Sequence, residues 1–87
     1  MKVLYSDNFK CNVAKLSIDA KKQLKNKIEI MMENPRHPSL RTKKLKGRHN
    51  DIFEASINMD IRMTWEYIED GILLRNIGEH DQTLKNP

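Results

Sequence analysis

The clearest chemical signal in the sequence is a cluster of basic residues between positions 36 and 48. This segment, RHPSLRTKKLKGR, contains six of the 16 Lys and Arg residues and none of the 12 Asp and Glu residues. Its charge therefore exceeds the net charge of the whole chain, which is +4. Such a patch can bind a phosphate backbone or an acidic protein. A solvated, lysine-rich edge strand that resists aggregation has the same composition, so charge alone leaves these interpretations open.

The side chains that commonly bind metals do not form a ligand pattern. His37, His49 and His80 are too scattered along the chain to suggest a metal site. The single cysteine, Cys11, excludes an internal disulfide and a multi-thiolate zinc site. The longest apolar runs have three residues, whereas a membrane span needs about 20, and no secretory signal follows Met1. We therefore expect a cytoplasmic protein without a metal, a cofactor or a membrane partner.

Two helices are predicted near the start of the chain, whose 87 residues predict a single domain over 1–87. Segment 2–5 is a short strand candidate, after which Ser6 and Ser17 are placed to cap the two helices. The second helix ends before Pro35, because proline disfavours helical geometry in the preceding residue. Apolar residues recur at helical spacing; they are Phe9, Val13 and Leu16 in the first helix and Ala20, Leu24, Ile28 and Met31 in the second.

After residue 36 the apolar period changes to two, which is typical of half-buried strands. Segments 53–57 and 61–67 are predicted strands joined by a tight turn, and Asp70-Gly71 is a hairpin turn that leads to a third strand over 72–77. The predicted fold is therefore α+β with the order β-α-α-β-β-β. Two N-terminal helices pack on one face of a small, mainly antiparallel sheet.

The other face of this sheet is predicted to be exposed, as in many antiparallel sheets. Gly78 is expected to end the third strand, and a polar tail with at most one helical turn follows. By the alternation of side chains, the exposed face displays Glu54, Ser56, Arg62, Thr64 and Glu66. Taken alone, Glu54 and Arg62 are an ordinary cross-strand ion pair, and His80 is a surface histidine just past a strand.

Four segments taken together resemble the RelE/ParE toxin superfamily of bacterial toxin–antitoxin systems. In the family's order they are Glu33-Asn34-Pro35, Lys43-Lys44-Leu45-Lys46-Gly47, Asp60-Ile61-Arg62-Met63-Thr64 and Asn76-Ile77-Gly78-Glu79-His80-Asp81. The Gly-x-His pattern is most similar to the YafQ-like and RelE-type branch, whose members are endoribonucleases that cut mRNA, commonly in the ribosomal decoding site. The resemblance implies a toxin of a type II system that binds mRNA and the ribosome. It also implies that a cognate antitoxin holds the toxin inactive.

The resemblance assigns roles to individual residues. His80 corresponds to the family's C-terminal histidine, a general acid, and Arg62 to an arginine that stabilises the scissile phosphate. Glu54 corresponds to a catalytic glutamate of some members, and Asp60 to an aspartate near the strand turn. The basic segment that grips RNA in relatives corresponds to Lys43, Lys44, Lys46 and Arg48.

These residue types suit RNA cleavage without a metal. The reaction needs a base for the 2′-hydroxyl, an acid for the departing 5′ oxygen and cations for the phosphorane. Histidine titrates near neutral pH and suits the acid, while the planar fork of arginine can pair two phosphate oxygens. A glutamate in water ionises near pH 4, so it is a poor base unless its surroundings raise its pKa. The identity of the base therefore stays open.

The chain departs from the family pattern at several positions. Lys43 and Ser56 stand where the YafQ pattern has histidines, and Leu84 stands where an aromatic residue stacks on a base. The family arginine is replaced by Asn76, with Arg75 one place away. Since neighbouring residues of a flat strand point to opposite faces, we expect Arg75 to point to the helix side.

Two other functions are compatible with the same fold. A ParE-like toxin that acts on DNA gyrase would not need His80, so the Gly-x-His pattern argues against this function. A non-catalytic member that binds only an antitoxin or RNA would tolerate the missing histidines and the displaced arginine.

Overall fold

The secondary structure follows the predicted order with three additional short elements. A computed structural model of the chain describes residues 2–46, 51–85 and 87, except for the side chain of Gln82. Its elements are β1 (Lys2–Tyr5), α1 (Asp7–Val13), α2 (Ile18–Glu33), a 3-10 turn (Pro38–Leu40), β2 (Lys43–Lys44), β3 (Ile52–Ser56), β4 (Ile61–Ile68), β5 (Gly71–Glu79) and α3 (His80–Lys85). Within the described residues, no helix is both long and apolar enough to span a lipid bilayer.

The strands form one five-stranded sheet in the order β1-β5-β4-β3-β2. β1 pairs with β5 in parallel, and the other three pairs are antiparallel. The predicted α+β class is therefore confirmed. The prediction that Gly78 ends the last strand is wrong, because Gly78 pairs with Arg62 inside the β4–β5 ladder. A ladder is made by main-chain groups, so a missing side chain does not end it.

Both predicted helix caps are confirmed. Ser6 Oγ accepts a hydrogen bond from the Phe9 main-chain N at 3.0 Å, and Ser17 Oγ accepts one from the Ala20 N at 3.1 Å. The apolar faces of these helices pack against the sheet to form the core. Its members include Phe9, Leu24 and Met31 from the helices and Met63, Trp65, Ile72 and Leu74 from the strands.

The sequence predicted that the opposite face of the sheet is exposed, and this prediction is wrong. Glu54 and Thr64 are only 6% and 0% exposed, whereas Ser56, Arg62 and Glu66 are half-buried. The cause is α3, which follows β5 directly and packs against β4 and β5. Alternation in a strand specifies which residues share a face, but not whether a later segment of the chain covers that face.

The predicted direction of Arg75 is also wrong. Thr64 pairs with Asn76 and Trp65 with Leu74, so Arg75 is an extra residue in β5, a bulge that changes the alternation. Its Nη1 lies 2.6 Å from Glu66 Oε2, on the face away from the two N-terminal helices. The side chain of the next residue, Asn76, contacts a helix instead: its Oδ1 accepts a hydrogen bond from Asn12 Nδ2 of α1 at 2.6 Å.

Candidate functional site

Glu54, Arg62 and His80 come together on the sheet face that α3 partly covers. Glu54 lies on β3 and pairs with Thr64, while Arg62 lies two positions earlier on β4 and pairs with Ser56. Residues at such diagonal positions share a face and are within reach of long side chains. β5 brings its C-terminal end beside Arg62. His80, the first residue of α3, follows directly and reaches the Glu54 side chain. The hairpin register thus joins residues that are distant in sequence.

The Glu54 carboxylate lies between the two basic side chains. Its Oε1 is 3.9 Å from Arg62 Nε, and its Oε2 is 3.5 Å from His80 Nδ1. The side chains are 8% exposed for Glu54, 20% for Arg62 and 47% for His80. A buried carboxylate is stabilised only if charged or hydrogen-bonding partners replace water. The cluster therefore has a negative group at its base and two basic groups nearer to the surface.

This arrangement orients the His80 ring. The contact to Glu54 involves Nδ1, which leaves Nε2 as the nitrogen farther from the carboxylate, on a side chain that is almost half exposed. A carboxylate on one ring nitrogen favours the tautomer that carries its proton there. The distance of 3.5 Å is that of an ion pair and exceeds a normal hydrogen bond. The His80 main-chain N donates to the Asp60 carbonyl oxygen at 3.3 Å, which anchors the start of α3 to the β3–β4 turn.

Arg62 is held in place by the same turn. Its Nη1 donates to the carbonyl oxygens of Asn58 and Ile61. The turn is itself fixed by Asn58 Oδ1, which accepts hydrogen bonds from the main-chain N atoms of Asp60 and Ile61, both at 2.8 Å. Such side-chain-to-backbone bonds are typical of asparagine in turns. Within the described residues, Nη2 has no hydrogen-bond partner, so it can pair with a phosphate oxygen.

Asp60 contributes to this site through its main chain. Its carbonyl oxygen contacts α3, as described above, and its side chain is exposed. In the part of the chain that the structure describes, no ion pair involves its carboxylate. The structure thus brings Asp60 to the site as a structural residue of the turn.

The predicted RNA-binding lysines divide between the two sides of strand β2. Lys43 pairs directly with Glu54, so the two side chains share a face. Lys44 pairs with Phe53, and its Nζ lies 3.1 Å from Asp51 Oδ1. Both lysines, together with Leu45, Lys46 and Leu84, line a cavity of about 320 Å³. Arg48 lies outside the described residues.

The burial of Thr64 is a feature of this region that the sequence did not predict. Thr64 lies directly opposite Glu54, and its Oγ1 is buried. The buried polar atoms Glu54 Oε2, Thr64 Oγ1 and Trp65 Nε1 have no hydrogen-bond partner among the described residues. Threonine on a polar strand face gives no sequence signal of burial, because alternation does not show whether another segment covers that face. No group of three His, Cys, Asp or Glu side chains in the described segments is placed to hold a metal ion.

No protein-family model and no curated protein sequence matches this chain. Solved structures match it over nearly its full length. A YoeB/ParE toxin from Agrobacterium tumefaciens superposes with a TM-score of 0.78 at 12% identity, covering 92% of this chain and 99% of that one. A chain of the RelB-RelE antitoxin-toxin complex from Methanococcus jannaschii gives a TM-score of 0.76 at 21% identity, with 97% and 99% covered.

YafQ from Escherichia coli strain BL21(DE3) is similar to the same extent, with a TM-score of 0.74, 15% identity and coverage of 94% and 96%. At such low identity the likeness establishes the fold. The resemblance seen in the sequence is confirmed at that level: the chain has the α+β fold of the RelE, YafQ and YoeB/ParE toxins.

Proposed function

We propose that this chain is the toxin of a type II toxin–antitoxin system and that it cleaves mRNA on the ribosome. The observation that carries the proposal is the convergence of Glu54, Arg62 and His80 on one face of a sheet with the toxin fold. An acid that can act near neutral pH and a planar cation are two of the groups that metal-free RNA cleavage needs, and a buried carboxylate can orient the acid. Lys43, on the same face, adds a positive charge beside them.

In the proposed reaction the 2′-hydroxyl of RNA loses its proton to a solvent water, and its oxygen attacks the adjacent phosphorus. His80 donates its Nε2 proton to the departing 5′ oxygen, and Arg62 Nη2 pairs with a non-bridging phosphate oxygen. The products are a 2′,3′-cyclic phosphate and a 5′-hydroxyl. Arg62 acts without reorganisation because two carbonyl oxygens already hold its guanidinium.

Glu54 is assigned a positioning role in this scheme. Attacking and leaving oxygens lie in line on opposite sides of phosphorus, so a base must face the acid across the phosphate. Glu54 contacts His80 directly, and the oxygen that faces the ring is buried. It therefore orients His80 and balances its charge. The carboxyl-to-amide change Glu54→Gln should reduce the cleavage rate by about tenfold and leave substrate binding unchanged, because the shape of the side chain is kept while its charge is lost.

An antitoxin partner is proposed for the same chain. Solved structures with this fold include a RelB-RelE antitoxin-toxin complex. The net charge of +4 suits an acidic partner. An apolar groove of about 460 Å³ between β1, α1 and α2 adds a surface for an amphipathic segment; its lining includes Phe9, Val13, Leu24 and Ile28, with Lys10 and Lys25 at its edge.

The test is expression of the chain in growing bacteria, followed by primer extension on a reporter mRNA. New 5′ ends with the unmodified chain, and none with His80→Ala, would support the nuclease. His37→Ala is the matched control, because His37 is an exposed histidine on the 3-10 turn, and it should cleave normally. Purified ribosomes, present or absent, then test the dependence on the ribosome.

Two outcomes would refute the nuclease. Growth arrest without new RNA ends, and unaffected by His80→Ala, would favour a ParE-like action on DNA gyrase. No toxicity and no cleavage from a folded chain would favour a binding module.

A further inference from the structure

Arg62 also borders a second cavity, which the proposed reaction does not use. This cavity has a volume of about 440 Å³ and lies between α2, the 3-10 turn and the β3–β4 turn. Its lining includes Lys27, Ser39, Arg41, Asn58, Met59 and Arg62, with no acidic side chain among the described residues. The volume lies within the range of about 300–1,000 Å³ that is typical of small-ligand sites.

We propose that this cavity is a subsite for single-stranded RNA that binds the nucleotide next to the scissile phosphate. It would hold the phosphate of that nucleotide between Arg41 and Lys27, and the face of its base against Met59. This inference rests on the proposed nuclease function and extends the RNA path to residues that the family resemblance did not indicate.

The positive charges of the cavity are available to a ligand. The Lys27 Nζ donates one hydrogen bond, to the Ser39 carbonyl oxygen at 3.1 Å, and an ammonium group has three protons to donate. The Arg41 side chain is exposed, and no acidic side chain of the described segments pairs with it. Cations without counter-charges at the wall of a cavity favour an anion, and phosphate is the anion whose shape arginine fits best.

The position of the cavity favours RNA over an acidic protein segment. Arg62 is shared between the cavity and the Glu54 and His80 cluster, so a chain bound at the cluster continues into it. Met59 lies on the β3–β4 turn and is 91% exposed. A flexible, polarisable side chain of this kind can lie against any base, as expected for contact without sequence preference.

The backbone of Arg41 supports a functional reason for the arginine. Its φ of 49° and ψ of 47° place it in the left-handed region, as the residue that ends the 3-10 turn. Glycine or asparagine is favoured there, and other residues are uncommon. An arginine in this position keeps a guanidinium at the mouth of the cavity at a local conformational cost, and such costs cluster at functional sites.

The experiment uses the full chain and a short single-stranded oligoribonucleotide with 2′-fluoro sugars, which lacks the attacking hydroxyl. Binding is measured by fluorescence anisotropy between 50 and 200 mM salt, a range in which phosphate contacts weaken measurably. Arg41→Gly is the main variant, because it removes the charge and relieves the backbone. It should bind roughly three- to tenfold more weakly, and the slope of log K against log salt should fall by about 0.7 in magnitude.

Lys22→Ala is the matched control, since it removes one charge from an exposed position of α2 that does not line the cavity. It should change affinity by less than about twofold. In spectra of methyl-labelled methionine, the Met59 signal, assigned with Met59→Leu, should shift when the oligonucleotide is added.

Two results of the binding measurement would overturn the subsite. One is an Arg41→Gly variant whose affinity and salt slope match those of Lys22→Ala; the other is no binding of the oligonucleotide to the unmodified chain. Primer extension distinguishes failure of the subsite from failure of the proposed nuclease function. Cleavage that needs His80 but not Arg41 would support the nuclease and exclude only the subsite. If Arg41→Gly keeps its affinity for the oligonucleotide but no longer binds an acidic peptide that the unmodified chain binds, the cavity belongs to a protein partner.

Discussion

The charge cluster of Glu54, Arg62 and His80 makes a quantitative prediction about stability. The Glu54–Arg62 pair should be strongly coupled although its atoms are 3.9 Å apart. The Lys44–Asp51 pair, at 3.1 Å, should be weakly coupled. The difference comes from solvent: the first pair has side chains 20% and 8% exposed, and the second 61% and 72%. Burial should therefore outweigh distance.

Coulomb's law gives the size of the effect. At the 3.9 Å separation of the buried pair, an effective dielectric constant of about 20 gives a gross attraction of about 4 kcal/mol. At the 3.1 Å separation of the exposed pair, a value near that of water gives about 1 kcal/mol. Salt, side-chain entropy and incomplete geometry reduce both. We expect coupling energies of about 1.5–3 kcal/mol for the buried pair and below about 0.5 kcal/mol for the exposed one.

Two double-mutant cycles measure these coupling energies by urea unfolding at pH 7. Glu54→Gln and Arg62→Gln form the first cycle, and Lys44→Gln and Asp51→Asn form the second. Arg62→Gln alone should be the more damaging single change, because it removes the guanidinium and leaves His80 as the one basic neighbour of the buried carboxylate in the cluster. Adding Glu54→Gln should restore part of the stability. Equal coupling in the two cycles, or a value below 0.5 kcal/mol for the buried pair, would refute the reasoning from burial.

Three further predictions concern binding, backbone geometry and the position of α3. Lys43→Ala should weaken RNA binding by about three- to tenfold and Lys44→Ala by less than twofold, because only Lys43 shares the face of Glu54; equal losses in anisotropy titrations would contradict this. Gly71→Ala should lower the free energy of unfolding by at least about 2 kcal/mol, since the new Cβ would lie 1.9 Å from the Lys2 carbonyl oxygen. Asp70→Gly, at a φ of 66°, should leave it unchanged or raise it by up to about 1 kcal/mol. Thermal unfolding measures both variants, and the opposite order would exclude the steric argument. Arg75→Gln should speed hydrogen exchange in 80–85, because Arg75 contacts Glu66 and the Pro87 carbonyl oxygen. Lys85→Gln is the matched control, and an Arg75→Gln variant that exchanges no faster than this control would show that the contact does not hold α3.

The residues that carried the sequence-based predictions act through local chemistry. Ser6 and Ser17 cap helices because an oxygen at that position meets a free main-chain N–H one turn later. The turn between β4 and β5 was predicted one residue too late: it consists of Glu69 and Asp70, with a positive φ at Asp70, and Gly71 already pairs with Ile68. The apolar periods placed Leu24, Met31 and Trp65 in the core, where the structure has them. In each case the physical cause lies within a few residues of the position concerned.

The sequence by itself therefore determined the two N-terminal helices, the hairpins, the fold class and the identity of the charged residues proposed for the site. The tertiary structure decided how these residues meet. The bulge that turns Arg75 toward Glu66 depends on pairing between β4 and β5, and the burial of Glu54 and Thr64 depends on α3. The contact between Glu54 and His80 depends on the register of three strands at once. Local patterns cannot encode these features, because the energy of each comes from atoms supplied by another part of the chain.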